Sequence, residues 1–321
     1  MRSFPRKEAG LAALLIVLCI TVSALNPVFL SGTNLQNMMR LVGIYGIFSL
    51  GVAFVIITGG IDLSIGSMLA LLGVLLSIAL RDWGLGPILA VAFILAMAAA
   101  IGSLHGFLIA RVRLQPFVVT LCGLLMYRGF ARFIANDETK GFGDSKGFEG
   151  LKELITGSLM GVPTPFVFLA ILSVVMGLLL HRSVFGRNLY ALGNNEEAAR
   201  YAGINTNRVI ASVYVIAGLL TGLASIFVAF YASGISASSH GNFYELYGIA
   251  AAVLGGCSLR GGEGSVVGVL IGVVLLQVLQ NLVTLLGIPS SLNFAVMGSV
   301  ILAGVLADQL LARRSAAKNK A

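Results

Sequence analysis

Apolar runs of about twenty residues recur along this chain with only short polar interruptions, and that spacing restricts the fold more than any single residue does. A bilayer core of about 30 Å takes about 20 apolar residues per helix, whereas membrane strands alternate in segments of about ten. The runs therefore predict helices. With 58% hydrophobic residues and 11% charged residues in 321, the chain lies outside the range of soluble globular domains. Spans are expected at 9–30, 38–58, 64–80, 87–110, 116–134, 163–180, 209–231, 245–259, 265–286 and 292–311. The expected class is an all-α polytopic membrane protein of about ten transmembrane helices, forming one domain over 1–321.

Orientation follows from the basic residues. With the N-terminus inside, 14 of the 21 Lys and Arg fall on the inner side, among them Arg111, Arg113, Arg187, Arg200, Arg208 and the tail "ARRSAAKNKA". Both termini are then cytoplasmic. The formal charge of +8 is dispersed at helix ends, which argues against nucleic acid as a partner. "MRSFPRKE" ahead of an apolar run resembles a secretory signal, but no convincing small-x-small cleavage site follows, so retention as the first span is expected. The eighth span, 245–259, would reach only about 22 Å at 1.5 Å per residue. Either it crosses as a short helix or it is broken or partly re-entrant, since "LGGCSLRGGEGS" is rich in glycine. Cys19, Cys122 and Cys257 lie in or at the ends of apolar segments without metal spacing, and no metal or cofactor is expected.

Three polar stretches interrupt this pattern. In "ITGGIDLSIGS", Gly59 and Gly60 allow a reversal, and Asp62 or Ser64 is placed to cap the helix that follows. The same carboxylate is also a candidate for lining a water-filled path, the default hypothesis for an ionisable group at membrane depth. A second cluster, "GGCSLRGGEGS" at 255–265, weakly echoes the first and hints at two similar halves. Between the sixth and seventh spans, about 181–208, lies "FGRNLYALGNNEEAARYAGINTNRV". Here Asn194 or Asn195 can cap a short helix, Glu196 and Glu197 suit its first turn, Ala198, Tyr201 and Ala202 form a small apolar face, and Gly203 ends it. That is a docking element rather than a linker.

Together, "TGGIDLSIGS", "FGRNLYALGNNEEAARYAGIN" and "AAAVLGGCSLRGGEGSVVGVLIG" resemble the signature stretches of ribose-type permeases of bacterial ABC sugar importers, with similar spacing over nearly the whole chain. The resemblance implies a permease in the bacterial inner membrane that pairs with a second copy or a related subunit. It implies a periplasmic binding protein that delivers a sugar, and a separate ABC ATPase subunit. It also implies a cytoplasmic coupling helix, with Asn195, Glu196, Glu197, Ala198, Arg200, Ala202 and Gly203 at the ATPase contact.

The residues agree with a non-enzyme: no G-x-x-x-x-G-K-[ST] phosphate loop and no H-E-x-x-H is present. An ion-coupled secondary carrier is the alternative from another class, but its embedded ionisable candidates are few, chiefly Asp62 and His105. His105, with Gly102 and Gly106, is read as a helix-packing residue. A nucleoside or branched-chain amino-acid ABC permease is the nearer alternative. For the translocation path the candidates besides Asp62 are Gln277, Gln280, Asn281, Asn293 and Phe294, and interhelical hydrogen bonding is the competing reading for the α-helical amides. An uncharged polar lining suits a neutral polyol. The outer loop, about 135–162, is long enough to suggest contact with the binding protein rather than passive connection.

Overall fold

The computed structural model describes residues 4–143 and 148–289, with side chains from residue 8 onward, and isolated positions between 292 and 302. The tenth expected span, together with Asn293 and Phe294, lies outside the described residues. In order, the helices are α1 (Phe4–Leu25), α2 (Gly32–Ile57), α3 (Ile65–Arg81), α4 (Pro87–Ala110), α5 (Pro116–Ala135), α6 (Glu149–Thr156), α7 (Thr164–His181), α8 (Val184–Asn194), α9 (Glu196–Tyr201), α10 (Thr206–Tyr231), α11 (Tyr244–Leu254) and α12 (Val266–Leu285). Four short strands, β1 (Thr139–Gly141), β2 (Ser158–Leu159), β3 (Val162–Pro163) and β4 (Gly234–Ser236), make two antiparallel pairs, β1 with β4 and β2 with β3. Among the described residues, seven helices are long and apolar enough to cross a membrane.

Local chemistry sets the boundaries. The first expected span ran to residue 30, but α1 stops at Leu25, and Asn26 and Pro27 open a 3-10 turn in which Asn26 accepts the Val28 N–H. Proline cannot continue the helix that precedes it. Ser31 then caps α2 through the Asn34 N–H, so α2 begins six residues before the expected start at 38. The polar residues 33–37, "TNLQN", lie ahead of the apolar run and carry no hydropathy signal for a span. Pro87 and Pro116 stand at the first positions of α4 and α5, where a missing N–H costs nothing.

Burial separates the centre from the periphery. In their most apolar windows α2 is 83% buried and α10 is 78% buried, against 6% for α1 and 22% for α7. Leu14, Ile16, Val17 and Ile20 of α1 and Ile171, Val174 and Leu178 of α7 stay exposed, an outward apolar surface that a membrane protein offers to hydrocarbon. Small residues bring the central helices together: Gly102 and Gly106 of α4 lie against the Tyr214–Val215 and Ala211 backbones of α10, and Gly51 of α2 meets Ala217. The Gly102–Gly106 face expected from sequence is thus the α4–α10 seam.

The segment expected as an eighth span, 245–259, is helical only to Leu254 and gives way to turns in the glycine-rich stretch that follows. Its helical part, α11, has 11 residues, about 16 Å, half of what a core requires. Ahead of it, residues 232–243 run as turns and strand β4 laid along α3, with Ile235 against Gly73 and Gly241 against Gly66. This backbone is satisfied from neighbours: Arg128 donates to the carbonyls of Ala237 and His240, and the Ser236 N–H donates to His240 Nδ1. Strand pairing at Gly234–Ser236 and turn bonds such as that from the His240 N–H to the Ser236 carbonyl satisfy further groups. At Gly66 a Cβ would overlap the Gly241 carbonyl oxygen and approach Glu245 Oε2 to 2.5 Å. Gly66→Ala is therefore expected to lower stability by about 1–3 kcal/mol through overpacking. Gly177→Ala, which meets nothing within 4 Å, should leave the unfolding temperature in detergent unchanged or slightly higher.

Candidate functional site

The short stretch between α8 and α10 folds largely as its side chains dictate. Asn195 caps α9, its carboxamide oxygen accepting the Ala198 N–H at 2.9 Å. Gly203 follows at φ +84°, a left-handed conformation that closes the helix. Asn205 caps α10 through the Arg208 N–H. Asn194 takes no part in capping and donates to the Tyr190 carbonyl. Only Ala199 of α9 is buried, while Ala198, Tyr201 and Ala202 face outward, Tyr201 at 91% exposure.

Glu196 is the anchor of this element. Its Oε1 accepts Arg113 at 2.5 Å and Arg200 at 2.7 Å, and Arg113 also reaches Asn207 at 2.8 Å. Burial alone would raise the Glu196 pKa, but the hydrogen bonds and charges of Arg113 and Arg200 outweigh it and hold the carboxyl below its ordinary value. Of the expected contact residues, Glu196 is thus tied inward, while Asn195, Glu197, Ala198, Arg200, Ala202 and Gly203 are exposed.

Sequence reading missed α8, whose two glycines, Gly186 and Gly193, weaken its helix signal. Ser183, which caps it through the Gly186 N–H, was the available clue. Gly193 packs on the Ile57 carbonyl and on Gly262, while the Gly262 N–H donates to that same carbonyl at 2.9 Å. Tyr190 donates to Gly264 at 2.6 Å. The three polar stretches of the sequence therefore meet at one point: the turn after α2, the glycine loop before α12, and α8 beside the capped helix.

Asp62 is buried, at 4% exposure, and its Oδ1 accepts both the N–H and the hydroxyl of Ser64. Ser64 occupies the N-cap position of α3 but makes no side-chain cap bond. Asp62 therefore shapes the turn into α3, and the first-turn Gly66 N–H goes instead to the carboxylate of Glu245 on α11. No local pattern announces a cap supplied from so far along the chain. Nearby, His105 Nε2 pairs with the Tyr127 hydroxyl at 2.8 Å, and Tyr214 donates to the Ile61 carbonyl.

The α12 amides lie elsewhere. Gln277 is buried beside Tyr45, Ser49 and Tyr247 around a cavity of about 10 Å³, and Gln280 is hydrogen-bonded to Tyr247. Asn281 and Asn34 exchange reciprocal amide bonds at 2.7 and 3.1 Å. The path candidates thus fall into two places: Asp62 among α3, α4 and α5, and the amides against α2 and α11. Among the described residues no cluster of three His, Cys, Asp or Glu is placed to hold a metal.

These features define a multi-pass membrane protein with a helical element at one end braced against its central helices. The chain belongs to the family described as branched-chain amino acid transport system, permease component, which matches residues 34–305. It is 39% identical over 296 residues to the ribose import permease protein of Bacillus subtilis (strain 168), covering 92% of this chain and 90% of that one. It is 34% identical over 303 residues to the L-arabinose ABC transporter permease protein of Azospirillum brasilense, covering 94% and 87%. It is 33% identical over 270 residues to the fructose import permease protein of Bifidobacterium longum (strain NCC 2705), covering 84% and 74%. No solved structure matches the chain.

The Glu196 tie has a defined pH dependence. A depressed folded-state pKa adds stability that is fully present above the ordinary glutamate value of about 4.3 and is lost as pH falls through the lower folded value. Amide exchange across 196–203 is expected to be faster in Glu196→Gln than in the wild type at neutral pH, and the difference should fade as pH drops through the depressed value of the folded carboxyl. Asn281→Leu is expected to cost about 0.6 kcal/mol, the average for a polar pair between membrane helices, in detergent unfolding.

Proposed function

We propose that this chain is the permease subunit of an ATP-driven importer in the bacterial inner membrane, translocating a monosaccharide or sugar-like solute delivered by a periplasmic binding protein. The observation that carries this reading is the capped helix α9, held by Glu196 and Arg113 with Ala198, Tyr201 and Ala202 left outward, in a chain similar throughout to sugar import permeases. In this reading α9 is the cytoplasmic coupling helix and its outward face docks on an ABC ATPase subunit. Both termini are cytoplasmic, and the last span brings the helix count to ten. Two permease chains, identical or related, flank the path.

Motion enters at α9 and reaches the core through α8. Nucleotide-driven closure of the ATPase pair displaces the docked helix. Because Gly193 lies backbone to backbone with the Ile57 turn and Gly262, the displacement passes to α2 and to the loop before α12 as a rigid movement. Exposed Leu154, Leu159 and Met160 on the outer segment 135–162 are candidates for the binding-protein contact. Along the path we place Asp62, Gln277, Gln280, Asn281, Asn293 and Phe294, whose uncharged majority suits a neutral polyol.

Buried Asp62, His105 and Glu245 favour one second reading, an ion-coupled carrier. Against it, Asp62 bonds Ser64, His105 bonds Tyr127, and Glu245 caps α3.

Native mass spectrometry of the chain extracted with its partners is expected to show two permease and two nucleotide-binding subunits. Uptake of labelled ribose, arabinose or fructose in cells should persist with a protonophore while ATP is maintained. Absence of any ATPase together with protonophore-sensitive uptake would establish the carrier instead. Tyr201→Glu should cut uptake at least tenfold with normal membrane abundance, by placing a charge in the docking face. Unchanged uptake would remove α9 from the coupling role.

A further inference from the structure

The seam between α4 and α10 does not fill its outer side. Gly106 lies so close to α10 that a Cβ would come within 2.8 Å of Ala211 Cα. What remains is an open groove of about 480 Å³. Its floor is apolar and shallow, and Phe107, at 55% exposure, forms one wall. Leu104, one turn along α4 and half exposed, continues the same lipid-facing surface.

At one end the groove turns basic. Arg111, directly after α4, and Arg208, in the first turn of α10, both line it and are both exposed. Among the described residues neither guanidinium makes an ion pair or a side-chain hydrogen bond, in contrast to Arg113 nearby, which is committed to Glu196 and Asn207. Helix stability does not account for Arg208, because a cation in a first turn opposes the helix dipole. Two unpaired guanidiniums therefore sit where an apolar channel meets the end of its helices.

We propose that this groove binds an anionic phospholipid, with an acyl chain along the Gly106–Ala211 floor and the phosphate between Arg111 and Arg208. Guanidinium forks match phosphate oxygens, and basic pockets at the ends of membrane helices suit acidic headgroups. A free phosphate would satisfy the arginines and leave the apolar floor bare, which is why the lipid is the occupant assigned. The site also touches the coupling element. Asn207 lines the groove and accepts from Arg113, which holds Glu196 of α9. An occupied groove thus steadies the same tie that positions the docking helix.

The test is native mass spectrometry of the full chain with its partners in detergent, with equal amounts of phosphatidylglycerol and phosphatidylcholine. The wild type is expected to retain phosphatidylglycerol in preference. Arg111→Gln with Arg208→Gln should cut that preference by about 25-fold, at about a factor of five per arginine. Arg182→Gln with Arg187→Gln, exposed arginines at the same end, should leave it unchanged. Equal retention of both lipids by the wild type, an unchanged preference in the first pair, or an equal loss in the second would overturn the proposal. So would displacement of the lipid by excess inorganic phosphate, which would make this a simple anion site. If the glutamine pair does not fold, Ser103→Trp fills the floor without touching either arginine, and persistence of the lipid in that variant would equally refute the assignment.

Discussion

A backbone N–H or C=O left bare in hydrocarbon costs several kcal/mol, and this protein places a dozen residues of irregular chain beside its central helices. Residues 232–243 are admissible only because Arg128, His240 and β1 answer their polar groups, and because Gly66 and Gly241 let two backbones touch. Much else is arranged around that insertion. Glu245 enters with it and caps α3 from outside, α11 follows it as a helix of only 11 residues, and the 135–162 segment contributes strand β1, which pairs with β4.

A second constraint acts at the opposite end. Gly59, Gly193, Gly261 and Gly262 gather where α2 ends, where α8 docks and where the chain turns toward α12. At Gly193 and Gly261 a Cβ would overlap the facing backbone, so glycine is needed at the approach itself. Gly261 and Gly262 further adopt φ of +87° and +75°. The capped helix α9 rests on this junction through α8 and on α4 and α10 through Arg113.

What the sequence made legible was governed by local chemistry. Proline at helix starts, Asn195 at the cap of α9, Gly203 at its end and the Gly102–Gly106 face of α4 all act within a few residues, and each lies where its pattern placed it. Misplaced or missed features depend on partners distant in the chain. Glu196 could be read as a first-turn acid, but not as the partner of Arg113, 83 positions away. Asp62 shapes the entry to α3 without bonding its first-turn amides, because Glu245 already does so. Asn281 faces α2, where Asn34 meets it, a pairing set by helix packing alone. The starts of α2 and α8 escaped for a simpler reason: their first turns are polar or glycine-bearing, and only their capping serines marked them.

The contact of Gly262 with the Ile57 carbonyl has a mechanical meaning. It pins α2 at one tip, and α2 is 26 residues long, about 39 Å. A rod held in this way magnifies rotation into travel, so a tilt of roughly 5° at the pinned tip sweeps the other by roughly 3 Å. That is close to the width of a water molecule.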